Sequence, residues 1–233
     1  WTTVTIPWSA FVAPSWGVGA GLAREDIIAS VRAINFAVAT NIDGTLSNTG
    51  SNWYLDDIQL YYSGPTVTST ETHTPTHTYT ITNTGANTAT NTETPTETVY
   101  VPTATATETT EAGSMIDDFE DGEFDTSLWG GAWSTWAAAS CVVNREIIST
   151  DTGAGAYSGH ITADIGGTGW APSVAVTLDL QADTMAMDIG AMADGISITM
   201  KGNHGTGTAV AFFVQLVSPL TDSDSSHLSL IHI

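Results

Sequence analysis

Acidic residues cluster at two places in the sequence, and carboxylates grouped in this way can do two kinds of chemistry. The clusters are Asp56 with Asp57, and Asp117 and Asp118 with Glu120 and Asp121. Hard carboxylate oxygens in turn-rich β structure are good ligands for calcium, which takes about six to eight oxygens. A pair of carboxylates can also hydrolyse a glycosidic bond, provided that the two flank it at a set separation. The alternative is that these acids are surface charges that cap turns.

The residues around these acids do not favour an enzyme. The acids lie at expected strand ends and turns, and no barrel or cleft pattern places two of them across a substrate. His73 and His77 are four residues apart, but in an extended tract that spacing does not form a helical metal pair. The Gly-rich segment 202–208 lacks the lysine of a phosphate-binding loop. We therefore predict a protein without catalytic residues.

Aromatic residues are the second group that could do chemistry, because the chain has 8 tryptophans. Flat rings pack against the C–H faces of sugars while nearby polar side chains bond the hydroxyls. We expect Trp8, Trp129 and Trp133 to be core residues, because they lie within the family-like motifs described below. The candidate platforms lie in or beside polar, Gly-rich segments: Trp136, Trp170, Tyr157, Trp53 and Tyr54.

Charge and cysteine content exclude several classes of function. Only 4 Lys and Arg residues stand against 25 Asp and Glu residues. Nucleic acids and anionic membrane surfaces are therefore excluded as partners, because both need clustered basic residues. No apolar run has transmembrane length, so we expect no membrane insertion. The single Cys141 excludes a disulfide framework within the chain and a cysteine-based zinc site.

A threonine tract divides the chain. Every even-numbered position from 66 to 98 is threonine except Ala86. Such a polar segment cannot bury enough apolar surface to form a core, so we predict an extended, disordered linker over residues 64–112. Thr/Pro-rich linkers are typical of extracellular or cell-surface proteins and of O-glycosylated stalks; the alternative is an unmodified spacer. The predicted glycosylation sites are Thr68, Thr70, Thr72, Thr74, Thr76, Thr78, Thr80, Thr82, Thr90, Thr92, Thr94 and Thr96.

The two remaining segments, the first flank (residues 1–63) and the second flank (residues 113–221), both predict antiparallel β structure. Apolar residues alternate over 34–38, 156–165, 173–180, 195–200 and 209–217, with glycine-rich turns between them. This spacing is typical of a β-sandwich. Residues 222–233 break the pattern and resemble a translated sequencing adapter, so we interpret them as a non-native tail. Because the chain starts within a strand-like stretch, we interpret it as a metagenomic fragment of a longer secreted protein.

Three motifs resemble carbohydrate-binding jelly-roll modules of the family-11-like, CIA30-like and galactose-binding-like kind. Trp1-x-x-Val-x-Ile-Pro-Trp-x-x-Phe11 and Tyr54-Leu-Asp-Asp-Ile-x-Leu60 are similar to the closing half of such a module. Ile116-Asp-Asp-Phe-Glu-Asp-Gly122 is similar to its opening half. The resemblance implies that the chain spans the junction between two consecutive modules. Together the flanks have the size of one sandwich.

The resemblance also implies a function and a metal. In the family a structural calcium often ties the first strand to the last, which indicates Asp118 and Glu120 with Asp56 or Asp57 as ligands. That site is complete only if the flanks pair with each other or with neighbouring chains. The implied function is non-catalytic binding of a polysaccharide or other glycan, as an accessory of a glycoside hydrolase. The alternative is a surface fibre or adhesin in which incomplete sandwiches self-associate through open edges.

Overall fold

A computed structural model describes residues 1–13, 20–40, 48–63, 66–70, 103–107, 111–166, 173–203, 205–207, 210–221 and 228–231. The described chain is nearly all β, and its strand pairs are antiparallel. The predicted all-β antiparallel sandwich is therefore confirmed. Two compact units are present: one contains Trp1–Tyr62 with Glu111–Ile233, and the other is Ser63–Thr110.

Sheet A of the larger unit has the strand order β1-β11-β3-β9-β8, with β6 and β12 also paired to β3. Its strands are β1 (Thr2–Pro7), β3 (Asn48–Tyr62), β6 (Glu111–Asp117), β8 (Val142–Ile148), β9 (Ser158–Ile165), β11 (Gly195–Asn203) and β12 (Thr206–Gly207). The long strand β3 lies at the centre, where it pairs with β11 on one side and with β9 and then β6 on the other.

Sheet B of the same unit has the order β14-β13-β2-β10-β7. Its strands are β2 (Ala33–Thr40), β7 (Trp133–Ala137), β10 (Ser173–Asp179), β13 (Val210–Val217) and β14 (Leu228–Ile231). The last of these belongs to the segment interpreted as a non-native tail, and it pairs with the edge of β13.

The two flanks share both sheets. In sheet A the first-flank strand β3 lies between the second-flank strands β11 and β9, and in sheet B the first-flank strand β2 lies between β13 and β10. The larger unit is thus one sandwich to which both flanks contribute. Whether they derive from two different modules stays a prediction.

Alternation of apolar residues explains how the sheets face each other. Phe36, Val176 and Val214 are Cα partners across sheet B and are all fully buried. Trp53 of sheet A contacts Phe212 of sheet B edge-to-face, with ring centroids 6.0 Å apart. Because side chains in a strand alternate between faces, the intervening residues point away from this core.

A β-bulge divides strand β3. Trp53 and Leu55 face the core before it, whereas Ile58 and Leu60 do so after it, so the parity of the buried positions changes. The pairing register with β11 shifts at the same place, and Asp57 has a positive φ of 45°. One extra residue in a strand produces this change of face.

The Ser63–Thr110 unit contains the threonine tract. Its described residues form two antiparallel strands, β4 (Thr66–Thr70) and β5 (Thr103–Thr107). Thr68 and Thr70 lie on β4, and the other ten predicted glycosylation sites lie outside the described residues.

Helix is scarce in the described chain. A 3-10 turn (Trp8–Ala10) follows β1, and the short helix α1 (Arg24–Ile28) precedes β2. Among the residues described, no helix has the length and apolar character needed to cross a membrane.

Candidate site on the outer face of sheet A

Two rows of side chains cross the outer face of sheet A. Strand register defines the first, the mixed row: Lys201, Tyr54, His160 and Glu146 on strands β11, β3, β9 and β8. The second, the amide row, lies two residues along the same strands: Asn203, Asn52, Thr162 and Asn144. Because Trp53 and Leu55 are buried, Tyr54 and Asn52 point away from the core.

The mixed row is a continuous stack. The imidazole of His160 lies parallel to the ring of Tyr54, with centroids 4.4 Å apart, and its Nδ1 is 2.9 Å from Oε1 of Glu146. On the other side, Nζ of Lys201 is 5.4 Å from the centroid of the Tyr54 ring. Both faces of Tyr54 are therefore in contact with protein, so this ring supports the site more than it offers a free surface.

Trp1 provides the exposed ring of this face. Its side chain is 37% exposed and contacts Tyr54 edge-on, with centroids 5.9 Å apart. The indole Nε1 donates a hydrogen bond of 3.1 Å to Oδ1 of Asp151, and Asp151 also forms an ion pair with Lys201. The hydrogen bonds from Lys201 and from Trp1 lower the pKa of the Asp151 carboxyl.

Gly153 fixes the position of that indole from the other side. A Cβ atom added at Gly153 would lie 2.9 Å from Cε3 of Trp1 and 2.9 Å from Cγ2 of Thr199. Only glycine permits this close approach of the loop to the ring. Trp1 is thus held by a hydrogen bond, a ring contact and a backbone contact.

The amide row offers hydrogen-bonding groups, and the bonds between its asparagine side chains are weak, although Oδ1 of Asn203 also accepts a hydrogen bond of 2.9 Å from the N–H of Gly205. Each of Asn52 and Asn203 donates from its amide nitrogen to the amide oxygen of the other, and both distances are 3.4 Å. Bonds of this length are weak, so a ligand hydroxyl can replace them at little cost. Asn144 and Asn203 are exposed, while Asn52 and Thr162 are half-buried.

The aromatic candidates predicted from the sequence are dispersed over the molecule. Tyr54 lies in the mixed row, but Trp53 is only 4% exposed and packs in the core. Trp136 is 56% exposed on β7, at the edge of sheet B, and Tyr157 is 36% exposed in the loop before β9. Trp170 lies outside the described residues. The structure does not bring Trp136 and Tyr54 together.

The four predicted calcium ligands meet at one corner, where both flanks contribute. Burial raises the pKa of Asp57, and the carboxylates of Asp118 and Glu120 raise it further. The buried carboxylate of Asp56 accepts hydrogen bonds from the backbone N–H groups of Asp57, Gly153 and Ala154.

Other contacts at this corner are also internal. Glu120 accepts hydrogen bonds from the backbone N–H groups of Ala156 and Tyr157, and Asp118 accepts one from the N–H of Glu120. Among the described residues, no group of three or more acidic, His or Cys side chains is arranged to hold a metal ion. In this arrangement Asp56 and Glu120 hold the loop of residues 151–157. A calcium ion at this corner stays a prediction.

Asp117 belongs to the same acidic cluster but was not predicted as a ligand, and its carboxyl is buried. Its carboxylate accepts hydrogen bonds from Nε1 of Trp133 at 2.6 Å and from the N–H of Phe119 at 2.9 Å. Desolvation nevertheless raises the pKa of Asp117 to about 6. It anchors the aromatic cluster of Trp133, Phe119 and Phe124.

Comparison with known proteins gives no further assignment. No family model matches the chain, and neither the curated proteins nor the solved structures contain a match. The resemblance to carbohydrate-binding modules therefore rests on the sequence motifs alone.

Proposed function

We propose that this protein binds neutral glycans, without catalysis, on the outer face of sheet A. The observation that carries the proposal is the exposed, rigidly held indole of Trp1 beside a row of amides. Stacking of a sugar ring on an aromatic face needs a ring that loses little entropy on binding, and Trp1 is already fixed by Asp151, Gly153 and Tyr54.

The amide row supplies the polar half of recognition. Amides both donate and accept hydrogen bonds, which matches sugar hydroxyls, and Asn203, Asn52 and Asn144 lie on three strands of the same face. Lys201 is paired with Asp151, and the chain has a net charge of −21. This charge disfavours acidic polysaccharides, so the proposed ligands are uncharged.

The test is calorimetric titration and insoluble-polysaccharide depletion with a panel of neutral plant polysaccharides, including β-glucans. We expect Trp1→Ala to weaken binding about tenfold, which corresponds to about 1.4 kcal/mol, and Asn52→Ala to weaken it by a smaller factor. Trp136→Ala is the matched control, because it removes an exposed tryptophan from the other sheet. Equal affinities of Trp1→Ala and the parent chain would contradict the proposed site, and no binding to any polysaccharide would contradict the function.

A further inference from the structure

The first flank is a set of strands that cannot pair among themselves in this fold. Its strands β1, β2 and β3 occupy separate positions, and in the described chain none of the three pairs with another of the three. Strand β1 pairs with β11, β2 with β10 and β13, and β3 with β6, β9, β11 and β12. Every described partner strand of the first flank therefore lies beyond the threonine tract.

The contacts between the flanks are non-covalent and extensive. They include the central ladders of both sheets and buried core partners such as Phe36 with Val176 and Leu60 with Ile196. Cys141 is the single cysteine, so no disulfide within a chain can tie the flanks together. The one covalent connection between the strands of the two flanks is Ser63–Thr110, which runs from the end of β3 to the start of β6.

The ends of that connection lie side by side. Tyr62 and Glu111 are Cα partners in the β3–β6 ladder. In the closed monomer, the strand that enters the connection therefore lies beside the strand that leaves it. A segment of this length can also span up to roughly 160 Å, far more than the width of a sandwich domain. The connection is therefore long enough to reach a second molecule as well.

From this arrangement we propose that a second copy of the chain can complete the sandwich, with the first flank of each copy inserted into the second flank of the other. The product is a closed dimer with two-fold symmetry, in which the same ladders form between chains. In such a dimer each sheet A face contains Trp1, Asn52 and Tyr54 from one copy and His160, Lys201 and Asn203 from the other.

The closed monomer competes with the dimer, and this competition decides when the dimer forms. A connection of this length gives the two flanks of one chain an effective concentration on the order of millimolar, so dilute refolding favours the monomer. The competition disappears if each chain carries a defect that spoils its own sandwich. Then a sound sandwich can form only between copies.

The experiment uses two full-length variants, Phe36→Asp in the first flank and Val176→Asp in the second. Phe36 and Val176 are Cα partners, and both side chains are fully buried. A charged carboxylate at either position would be buried without a partner, so each variant alone should fail to fold. Unfolding the two together in urea and refolding the mixture should yield a heterodimer by native mass spectrometry and restore a cooperative urea transition. The control mixture is Phe36→Asp with Ile34→Asp, in which both defects lie in the first flank. The same result from both mixtures would overturn the proposal.

A second measurement does not depend on destabilised variants. Asn87→Arg introduces a trypsin site between the flanks, and the parent chain under the same digestion shows whether cleavage is confined to that site. Light and nitrogen-15-labelled molecules, each cut there, are mixed, unfolded and refolded. We expect complexes that contain one light and one labelled flank in about half of the population. Refolding without mixed complexes, or failure of the cut pieces to reassociate, would overturn the proposal.

Discussion

The buried carboxyl of Asp117 should make the folded protein less stable as the pH rises from about 4 to about 7. Its side chain is 2% exposed, and burial raises its pKa from the ordinary value of 3.8 to about 6. Between these two values the folded chain holds a proton that the unfolded chain has released. Folding is therefore favoured at the acidic end of the interval, and this contribution is lost as the pH passes the folded pKa.

The size of the effect follows from the shift. A pKa difference of one corresponds to 1.36 kcal/mol, so a rise from 3.8 to about 6 is worth about 3 kcal/mol in full, of which about 2 kcal/mol is lost between pH 4 and pH 7. The hydrogen bonds from Trp133 and Phe119 stabilise the charged form and already oppose the larger cost of desolvation. Stabilities of small domains are about 5–15 kcal/mol, so the loss should be easily measured.

Urea unfolding of the parent chain and of Asp117→Asn, at several pH values from 4 to 7, isolates this group. The free energy of unfolding of the parent minus that of the variant should fall by about 2 kcal/mol from pH 4 to pH 7, whatever constant penalty the asparagine adds. Glu120→Gln is a control of opposite sign. Hydrogen bonds from Tyr157 and Ala156 lower the pKa of Glu120, so its contribution grows as the pH rises. A difference in unfolding free energy between the parent and Asp117→Asn that is flat, or that rises with pH, would contradict a raised pKa of Asp117 in the folded chain.

Two further predictions concern a glycine and the acidic corner. A Cβ atom at Gly131 would lie 1.7 Å from the carbonyl oxygen of Asp179, so Gly131→Ala should lower the free energy of unfolding in urea by about 3 kcal/mol or more. The control is Gly50→Ala, at an open position with φ of 71°, which should lower this free energy by about 1 kcal/mol. Similar costs for the two variants would contradict this account. Millimolar calcium should raise the Tm measured by calorimetry, because it would offset the repulsion between Asp57, Asp118 and Glu120, and Asp57→Asn should remove the increase. An equal Tm in calcium and in EDTA would exclude a calcium site in this protein.

The strands were predictable because their sequences alternate. Segments such as 173–180 and 195–200 place an apolar residue at every second position, and the structure has strands Ser173–Asp179 and Gly195–Asn203 there. The same rule separates Trp53 from Tyr54. Neighbours in a strand face opposite sides, so both cannot lie on one binding surface. The switch from Trp53 and Leu55 to Ile58 and Leu60 was a readable signal of the bulge between them.

The candidate site was not predictable, because it depends on register between strands that are distant in sequence. Asn52 and Asn203 are 151 residues apart, and nothing local in either segment shows that they are partners. The order of strands in sheet A, with first-flank strands between second-flank strands, is likewise a property of long-range pairing. Trp1 could be recognised as apolar, but only its contact with Gly153 and Asp151 shows that it forms part of an exposed face.

The acidic motifs and the aromatic face are connected through the loop of residues 151–157. Asp56 and Glu120 bind its backbone N–H groups at one end of sheet A. The first residue of the same loop, Asp151, accepts the hydrogen bond from Trp1 and pairs with Lys201. A carboxylate that accepts hydrogen bonds from backbone N–H groups can fix a loop without a metal ion, because each of these bonds is charge-assisted. The two motifs that suggested a metal site thus position the ring on which the proposed glycan would stack. One comes from each flank, so this loop is fixed at both of its contacts only when the flanks are joined.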